Sequence, residues 1–227
     1  SFSNTAGFFP VDDYNMTRFA CLQLNVLKHV DIMCCRCEAY EIEIVEKYLN
    51  QDGELADILA ISQPFCFENP WTSALKGKKV LVINPFDETI KKQYAKRELL
   101  FKDQNVLPEF ELITYRPVQG IGHSKDLLPY KNWFEALDAM KADIKNIDFD
   151  IAIIGAGAYG MFLAQYCKSL GKKAVHMGGA TQLLFGIKGK RWDNYLNSYY
   201  NQYWTRPSAS ETPAGVELFE NGTMAYW

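Results

Sequence analysis

A glycine-rich turn between residues 155 and 160 is the clearest chemical motif in the sequence. An apolar run ends in Gly155, Gly157 and Gly160, in GxGxxG spacing, where the next helix begins. Gly155 permits a tight turn, Gly157 lets a phosphate approach the backbone, and Gly160 lets the helix pack closely; free N–H groups at the helix N-terminus favour an anion. We therefore predict a phosphate or nucleotide site that includes Tyr159. The alternative is that these glycines serve strand-to-helix packing alone.

A second glycine-rich loop follows the next predicted strand. Its candidate binding residues combine two glycines, a hydroxyl and three cations: Gly178, Gly179, Thr181, Lys188, Lys190 and Arg191. Beside the first turn, these cations are expected to neutralise a diphosphate. The alternative is a solvated basic surface loop. A dinucleotide site would have an acidic residue where this strand ends, but the sequence has His176, so NAD(P) is the weaker candidate.

Polar residues after two other predicted strands are candidates for positioning a substrate: Asn84, Thr89, Gln93, Arg97 and Gln119. Asn84 directly follows its strand, and Gln119 lies in the stretch 116–120 with which the next strand ends. Gln93 and Arg97 share one face of a helix at i, i+4 spacing. We expect them to lie together at the rim of one cleft, where they form hydrogen bonds with the hydroxyl groups of a substrate. A structural role, such as capping of the helix by Thr89 or Asp87, is the alternative for each.

Strands and helices that must hold these residues alternate from residue 80 onward. The apolar patterns predict strands at 80–83, 110–115, 149–154 and 173–177, and helices at 89–101, 133–147 and 158–170. This order is typical of an α/β fold with a Rossmann-like parallel sheet flanked by helices. Ligands of such sheets bind outside the carboxyl ends of the strands.

The chain is divided at about residue 70. We predict that residues 1–70 form an N-terminal α/β segment, either separate or part of the same domain, and that 71–227 form the nucleotide-binding unit and its tail. In the first segment, Asp12 or Asp13 caps a helix carrying Phe19, Leu22 and Val26 on one face. A buried strand at 30–35 and a helix at 38–49 follow.

The C-terminal extension is rich in aromatic residues, with nine between residues 192 and 227. Folding back over the sheet as core is the favoured interpretation. Sugar-stacking platforms and an oligomer contact are the alternatives.

Composition restricts the class of protein. The 24 Lys and Arg against 27 Asp and Glu give a net charge of −3, which argues against nucleic-acid binding. The longest apolar stretches are too short for a transmembrane segment. Six cysteines are few for this length, so reduced thiols in a cytoplasm are expected. Cys34 and Cys37 have zinc-knuckle spacing, but no second pair follows, and a strand end is favoured over a metal site.

Several motifs together resemble a group of bacterial proteins found among polysaccharide-biosynthesis functions. The stretches that carry the resemblance are 71–86, 93–97, 107–110, 148–160 and 178–192. More remotely, residues 149–178 look like the carboxyl-terminal part of GT-D-fold glycosyltransferases, which use a nucleotide-sugar donor and a divalent metal. The resemblance implies a glycosyltransferase of cell-surface polysaccharide synthesis, with a nucleotide sugar and a glycan acceptor as partners, and leaves Mn²⁺ or Mg²⁺ open as cofactor.

Two other functions stay open. The acidic metal-binding motif that GT-D enzymes carry in their amino-terminal half is not matched in these 227 residues, which favours a non-catalytic module that binds a sugar nucleotide or phosphate. An NAD(P)-dependent oxidoreductase is the third candidate. The residues single out no general base, and a homo-oligomer is left open.

Overall fold

Two parallel sheets organise the protein, for which a computed structural model describes residues 6–35, 38–120, 126–212 and 223–227. The first part of the chain contains α1 (Asp13–Leu27), β1 (Ile32–Cys34), α2 (Ala39–Tyr48), β2 (Glu54–Ala56) and α3 (Ile58–Ser62). β1 and β2 pair in parallel as a separate two-stranded sheet, with Ile32 opposite Glu54.

Helix α1 begins as the sequence predicts. Asp12 is its N-cap, and the carboxylate accepts a hydrogen bond from the backbone N of Asn15 at 2.8 Å. Phe19 and Val26 are buried, but Leu22 is exposed, so the predicted apolar face is narrower than expected.

The prediction of a buried strand at 30–35 is wrong in its burial. A strand is present as β1, but Ile32 is 54% exposed. A sheet of only two strands is too narrow to bury both faces of either strand. Strand β2 and helix α3 were not predicted.

The main sheet has four strands, all parallel: β3 (Lys79–Ile83), β4 (Glu111–Tyr115), β5 (Ile151–Ile154) and β6 (Lys173–His176). Their order is β4-β3-β5-β6. The helices that follow them in the chain are α4 (Asp87–Tyr94), α5 (Trp133–Ile144), α6 (Gly160–Ser169) and α7 (Thr181–Leu184). The predicted α/β architecture with a Rossmann-like parallel sheet is thus confirmed.

Alternation along β3 separates the core into two layers. Leu81 and Ile83 pack with buried residues of α1, α5 and α6. Val80 and Val82 face the other layer, which contains buried residues of α4 and α7. Successive side chains of a strand point to opposite faces, so a strand buried on both faces is apolar throughout.

The predicted helix at 89–101 ends earlier than expected. α4 stops at Tyr94, and a short 3₁₀ turn at Arg97–Leu99 follows. The C-terminal tail forms hydrogen bonds with the carbonyl groups at the end of this turn. The Asn201 amide donates to the Leu99 and Leu100 oxygens, and the Trp204 indole donates to the Leu100 oxygen at 3.1 Å. These contacts replace the helical hydrogen bonds that a longer α4 would form.

The aromatic tail folds back as core, as the favoured interpretation predicts. Trp192 and Trp204 are buried with Leu183 and Leu196 in a cluster beside the sheet. Tyr195 remains more than half exposed, and Phe219 lies outside the described residues. In the described part of the chain, no helix combines the length and apolar character needed to cross a bilayer.

Candidate functional site

A cavity of about 440 Å³ opens at the carboxyl ends of the main-sheet strands. It lies beside the ends of β3 and β5, the neighbouring strands from which the connections to β4 and β6 depart on opposite sides. Such a switch point is the usual ligand site of an open parallel sheet. Six glycines belong to its lining: Gly7, Gly120, Gly155, Gly157, Gly178 and Gly179.

Gly155 forms the floor, where three strand ends converge. Its backbone N donates to the Ile83 oxygen at 2.8 Å. A Cβ atom at this position would lie 2.5 Å from the Gly178 oxygen and 2.7 Å from both the Asn84 amide nitrogen and the Thr181 hydroxyl. Only glycine therefore allows these ends to meet. Asn84 lines the cavity, whereas the Thr181 hydroxyl donates to the Gly178 oxygen at 2.9 Å.

At the other two glycines of the turn, atoms of the protein lie where a side chain would be. Gly157 has a φ of +53°, and a Cβ there would lie 2.8 Å from the Ala6 oxygen. At Gly160 a Cβ would lie 2.0 Å from the His176 ring. The strand-to-helix packing that was left as the alternative is therefore present at Gly160, whereas Gly157 is packed against the backbone of Ala6. The phosphate role stays a prediction: Gly157 lines the cavity, and Gly160 is not among the described lining residues.

One wall of the cavity combines aromatic rings with a guanidinium group. The Tyr226 ring lies so close to Gly179 that a Cβ there would come within 2.1 Å of it. Arg191 donates to the Tyr226 hydroxyl at 3.0 Å. The Trp227 ring packs edge-on against Phe86, with 5.4 Å between the ring centroids. This wall offers flat apolar surface beside a positive charge.

The three predicted cations do not act as a group. Arg191 lines the cavity, but Lys188 and Lys190 are not among its described lining residues. The Lys188 ammonium lies 5.2 Å from the centroid of the Tyr200 ring, and Lys190 is exposed. Of the three, only Arg191 is therefore placed to meet a ligand in the described lining, and its neutralisation of a diphosphate stays a prediction.

Three of the five predicted positioning residues lie away from the described cavity lining. The Gln93 amide is buried and donates to the Gly186 and Tyr203 oxygens at 2.9 and 3.1 Å. Arg97 pairs with Glu98 and Glu109, and Thr89 binds Glu211. The predicted common rim is therefore wrong for these residues. Thr89 and Gln93 of α4 hold the C-terminal tail and the loop at Gly186, and Arg97, which lies beyond the end of α4, is paired with carboxylates. Asn84 and Gln119 do line the cavity.

Sequence reasoning did not include His176, Tyr226 or Trp227 among its site residues, although all three line the cavity. For His176 a signal was available, since it ends a strand of the parallel sheet. Burial lowers the pKa of His176, and the contact of its Nδ1 with the Ile154 oxygen at 3.3 Å only partly opposes this. The imidazole is therefore neutral at pH 7.

The described lining suits an anion and does not fit a divalent metal. Arg191 is its one charged side chain at neutral pH, and the lining includes neither Asp nor Glu. Among the residues described, no group of three or more His, Cys, Asp or Glu side chains could hold a metal ion. Mg²⁺ and Mn²⁺ prefer carboxylate and other oxygen ligands. Cys37, of the candidate zinc pair, lies outside the described residues.

No family model, curated protein or solved structure matches the chain. The resemblance to polysaccharide-biosynthesis proteins therefore stays an expectation from sequence motifs.

Proposed function

We propose that the cavity binds a nucleotide sugar and that the protein is a glycosyltransferase of cell-surface polysaccharide synthesis. One observation supports the binding most directly: the cavity at the switch point has six glycines and Arg191 in its lining, with no carboxylate among the described residues there. A volume of about 440 Å³ is within the range of small-molecule sites. The reaction class rests on the sequence resemblance.

In this proposal, the chain acts mainly through electrostatics and positioning. Arg191 stabilises the negative charge that grows on the departing diphosphate. Gly178, where a Cβ would meet nothing within 4 Å, leaves its backbone open to the phosphates. Tyr226 and Trp227 supply a surface on which a ring can stack. Asn84 and Gln119, at neighbouring strand ends, orient the acceptor hydroxyl.

A non-catalytic sugar-nucleotide-binding module is the second candidate. It is favoured by the same lining, because the described lining includes no Asp or Glu that could act as general base. The two candidates share the binding step and differ in turnover. Sugar transfer or donor hydrolysis by the wild-type protein would favour the enzyme, whereas binding with no turnover would favour the module.

The binding step is tested by calorimetric titration with UDP- and GDP-linked sugars, their nucleoside diphosphates and nucleosides, and NAD. We expect Arg191→Gln to weaken binding of the diphosphate-containing ligand roughly tenfold to a hundredfold, because a charge-assisted hydrogen bond is lost. Binding of the nucleoside should be nearly unchanged. Lys188→Gln is the matched control and should bind like the wild type. Equal effects of both substitutions, or preferential binding of NAD, would contradict the assignment.

A further inference from the structure

Tyr159 presents a buried hydroxyl group at a residue that lines the cavity. The residue is only 1% exposed, yet its hydroxyl has no hydrogen-bond partner among the residues that the structure describes. Its ring is fixed, since it stacks on Trp133 with 4.9 Å between ring centroids and 7° between the planes. Buried polar groups are nearly always hydrogen-bonded in folded proteins, so an orphaned hydroxyl on a residue that lines a cavity points to a ligand.

His176 lines the same cavity and offers the opposite hydrogen-bonding property. Its Nδ1 lies 3.3 Å from the Ile154 oxygen, which can only accept, so Nδ1 carries the proton. In the neutral ring, Nε2 is then an acceptor. The ring position is set by the missing side chain of Gly160, which leaves the space that the ring occupies.

These two groups differ in chemistry from the Arg191 wall. Arg191 and the Trp227 indole N–H, which is buried without a partner in the described part of the chain, are donors only and suit phosphate oxygens. Tyr159 can donate while His176 accepts, which suits hydroxyl groups, since a hydroxyl also does both.

We propose that Tyr159 and His176 bind the hydroxyl groups of the sugar, while Arg191 and the glycine-rich loops bind the diphosphate. This inference rests on the proposed function and names the residues that recognise the uncharged part of the donor. Tyr159 is then a specificity determinant.

Tyr200 provides a matched control for a substitution at Tyr159. Its hydroxyl is also buried without a partner, but Tyr200 belongs to the aromatic cluster of the tail and is not among the described lining residues. Replacement by Phe removes one unpaired hydroxyl in each case and keeps the ring. Both variants should unfold at a temperature equal to or above that of the wild type, because an unpaired buried hydroxyl is destabilising.

The experiment compares the tightest-binding nucleotide sugar of the UDP and GDP panel with its own nucleoside diphosphate. We expect Tyr159→Phe to weaken binding of the nucleotide sugar about threefold to tenfold and to leave the affinity for the nucleoside diphosphate unchanged. Tyr200→Phe should alter neither affinity. His176→Gln should show the same selective loss.

Each other outcome identifies what fails. If the wild type binds neither ligand, the proposed function itself is wrong. If the wild type binds both and Tyr159→Phe weakens neither, or weakens both equally, the sugar contact is wrong while the nucleotide site stands. An equal selective loss in Tyr200→Phe would show that the effect does not depend on a hydroxyl at the cavity and would overturn the inference.

Discussion

Among single residues, the contact of Gly160 with His176 connects the glycine motif to the chemistry of the cavity. Because Gly160 has no side chain, the His176 ring can lie against the start of α6. This placement buries the imidazole and lowers its pKa. The third glycine of the motif therefore helps to keep an uncharged acceptor at the cavity, a role that its spacing alone does not reveal.

The pKa of His176 predicts how stability depends on pH. An unfolded histidine takes up a proton near pH 6.5, whereas the folded imidazole does so only at lower pH. The unfolded state therefore binds more protons just below pH 6.5, and the free energy of unfolding falls as the pH falls toward the folded pKa. We expect His176→Gln to lose less stability than the wild type between about pH 7 and pH 5.

Urea denaturation across this pH range measures the difference. His29→Gln, at an exposed histidine, is the control and should follow the wild-type profile. If His176→Gln also followed that profile, the argument from burial would be wrong.

At the scale of elements, α4 is capped by a residue far along the chain. Thr89 and Asp87 were the predicted caps, but the Glu211 carboxylate accepts from the backbone N atoms of Glu88 and Thr89 at 2.9 and 3.0 Å. Ser208 donates to the same carboxylate at 2.8 Å. The tail is thereby fixed to the helix that follows β3.

Replacement of Glu211 tests this cap. Burial favours the neutral acid, but hydrogen bonds from Thr89 and Ser208 outweigh it and hold the pKa of Glu211 below its ordinary value. We expect Glu211→Gln to lower the free energy of unfolding by about 2 kcal/mol at pH 7, since hydrogen bonds to a charged group are lost. The stabilisation is present above about pH 4.5 and is lost as the pH falls through the folded pKa.

Chemical denaturation at pH 7 and at acid pH provides the measurement. Glu88→Gln removes an exposed carboxylate paired with Lys91 and should leave stability nearly unchanged at pH 7. A destabilisation by Glu211→Gln that stayed constant into acid would contradict the role of its charge.

Over the whole molecule, the charges around the cavity determine which ligands it can take. The described lining has the positive charge of Arg191 and no carboxylate. We therefore expect the diphosphate of the proposed ligand to meet Arg191 directly. The aromatic tail completes this environment, because it brings Arg191, Tyr226 and Trp227 to the ends of strands that precede them in the chain.

This arrangement predicts metal-independent binding. We expect the dissociation constant of the nucleotide sugar to change less than about twofold between a buffer with EDTA and one with millimolar Mg²⁺ or Mn²⁺, because the described lining has no oxygen ligand set for these ions. Calorimetric titration in the three buffers measures it, with Arg191→Gln as the variant that should weaken binding in all of them. Binding that required metal would overturn this prediction.

The main sheet could be predicted because its signals are local. The uninterrupted apolar run at 80–83 is typical of a strand buried on both faces, and the structure shows Val80 and Val82 on one face and Leu81 and Ile83 on the other. The glycines at 155–160 directly follow another apolar strand. Parallel strands then require the residues after them to meet at one edge of the sheet, which placed Asn84, Gln119 and the glycine turns at a common cavity. Each of these inferences depends on residues within a few positions of one another.

The tertiary structure alone decided which of the other candidate polar residues belong to the cavity. Arg191 is selected from three neighbouring cations by its contact with Tyr226, which lies 35 residues away. The Gln93 amide, by contrast, donates to the carbonyl oxygens of Gly186 and Tyr203, which lie 93 and 110 residues away, and these hydrogen bonds hold it away from the rim. Local spacing gives no information on such contacts, because they form when the tail packs against the completed sheet. Backbone periodicity is a property of the segment, whereas the partner of a side chain is determined by long-range packing.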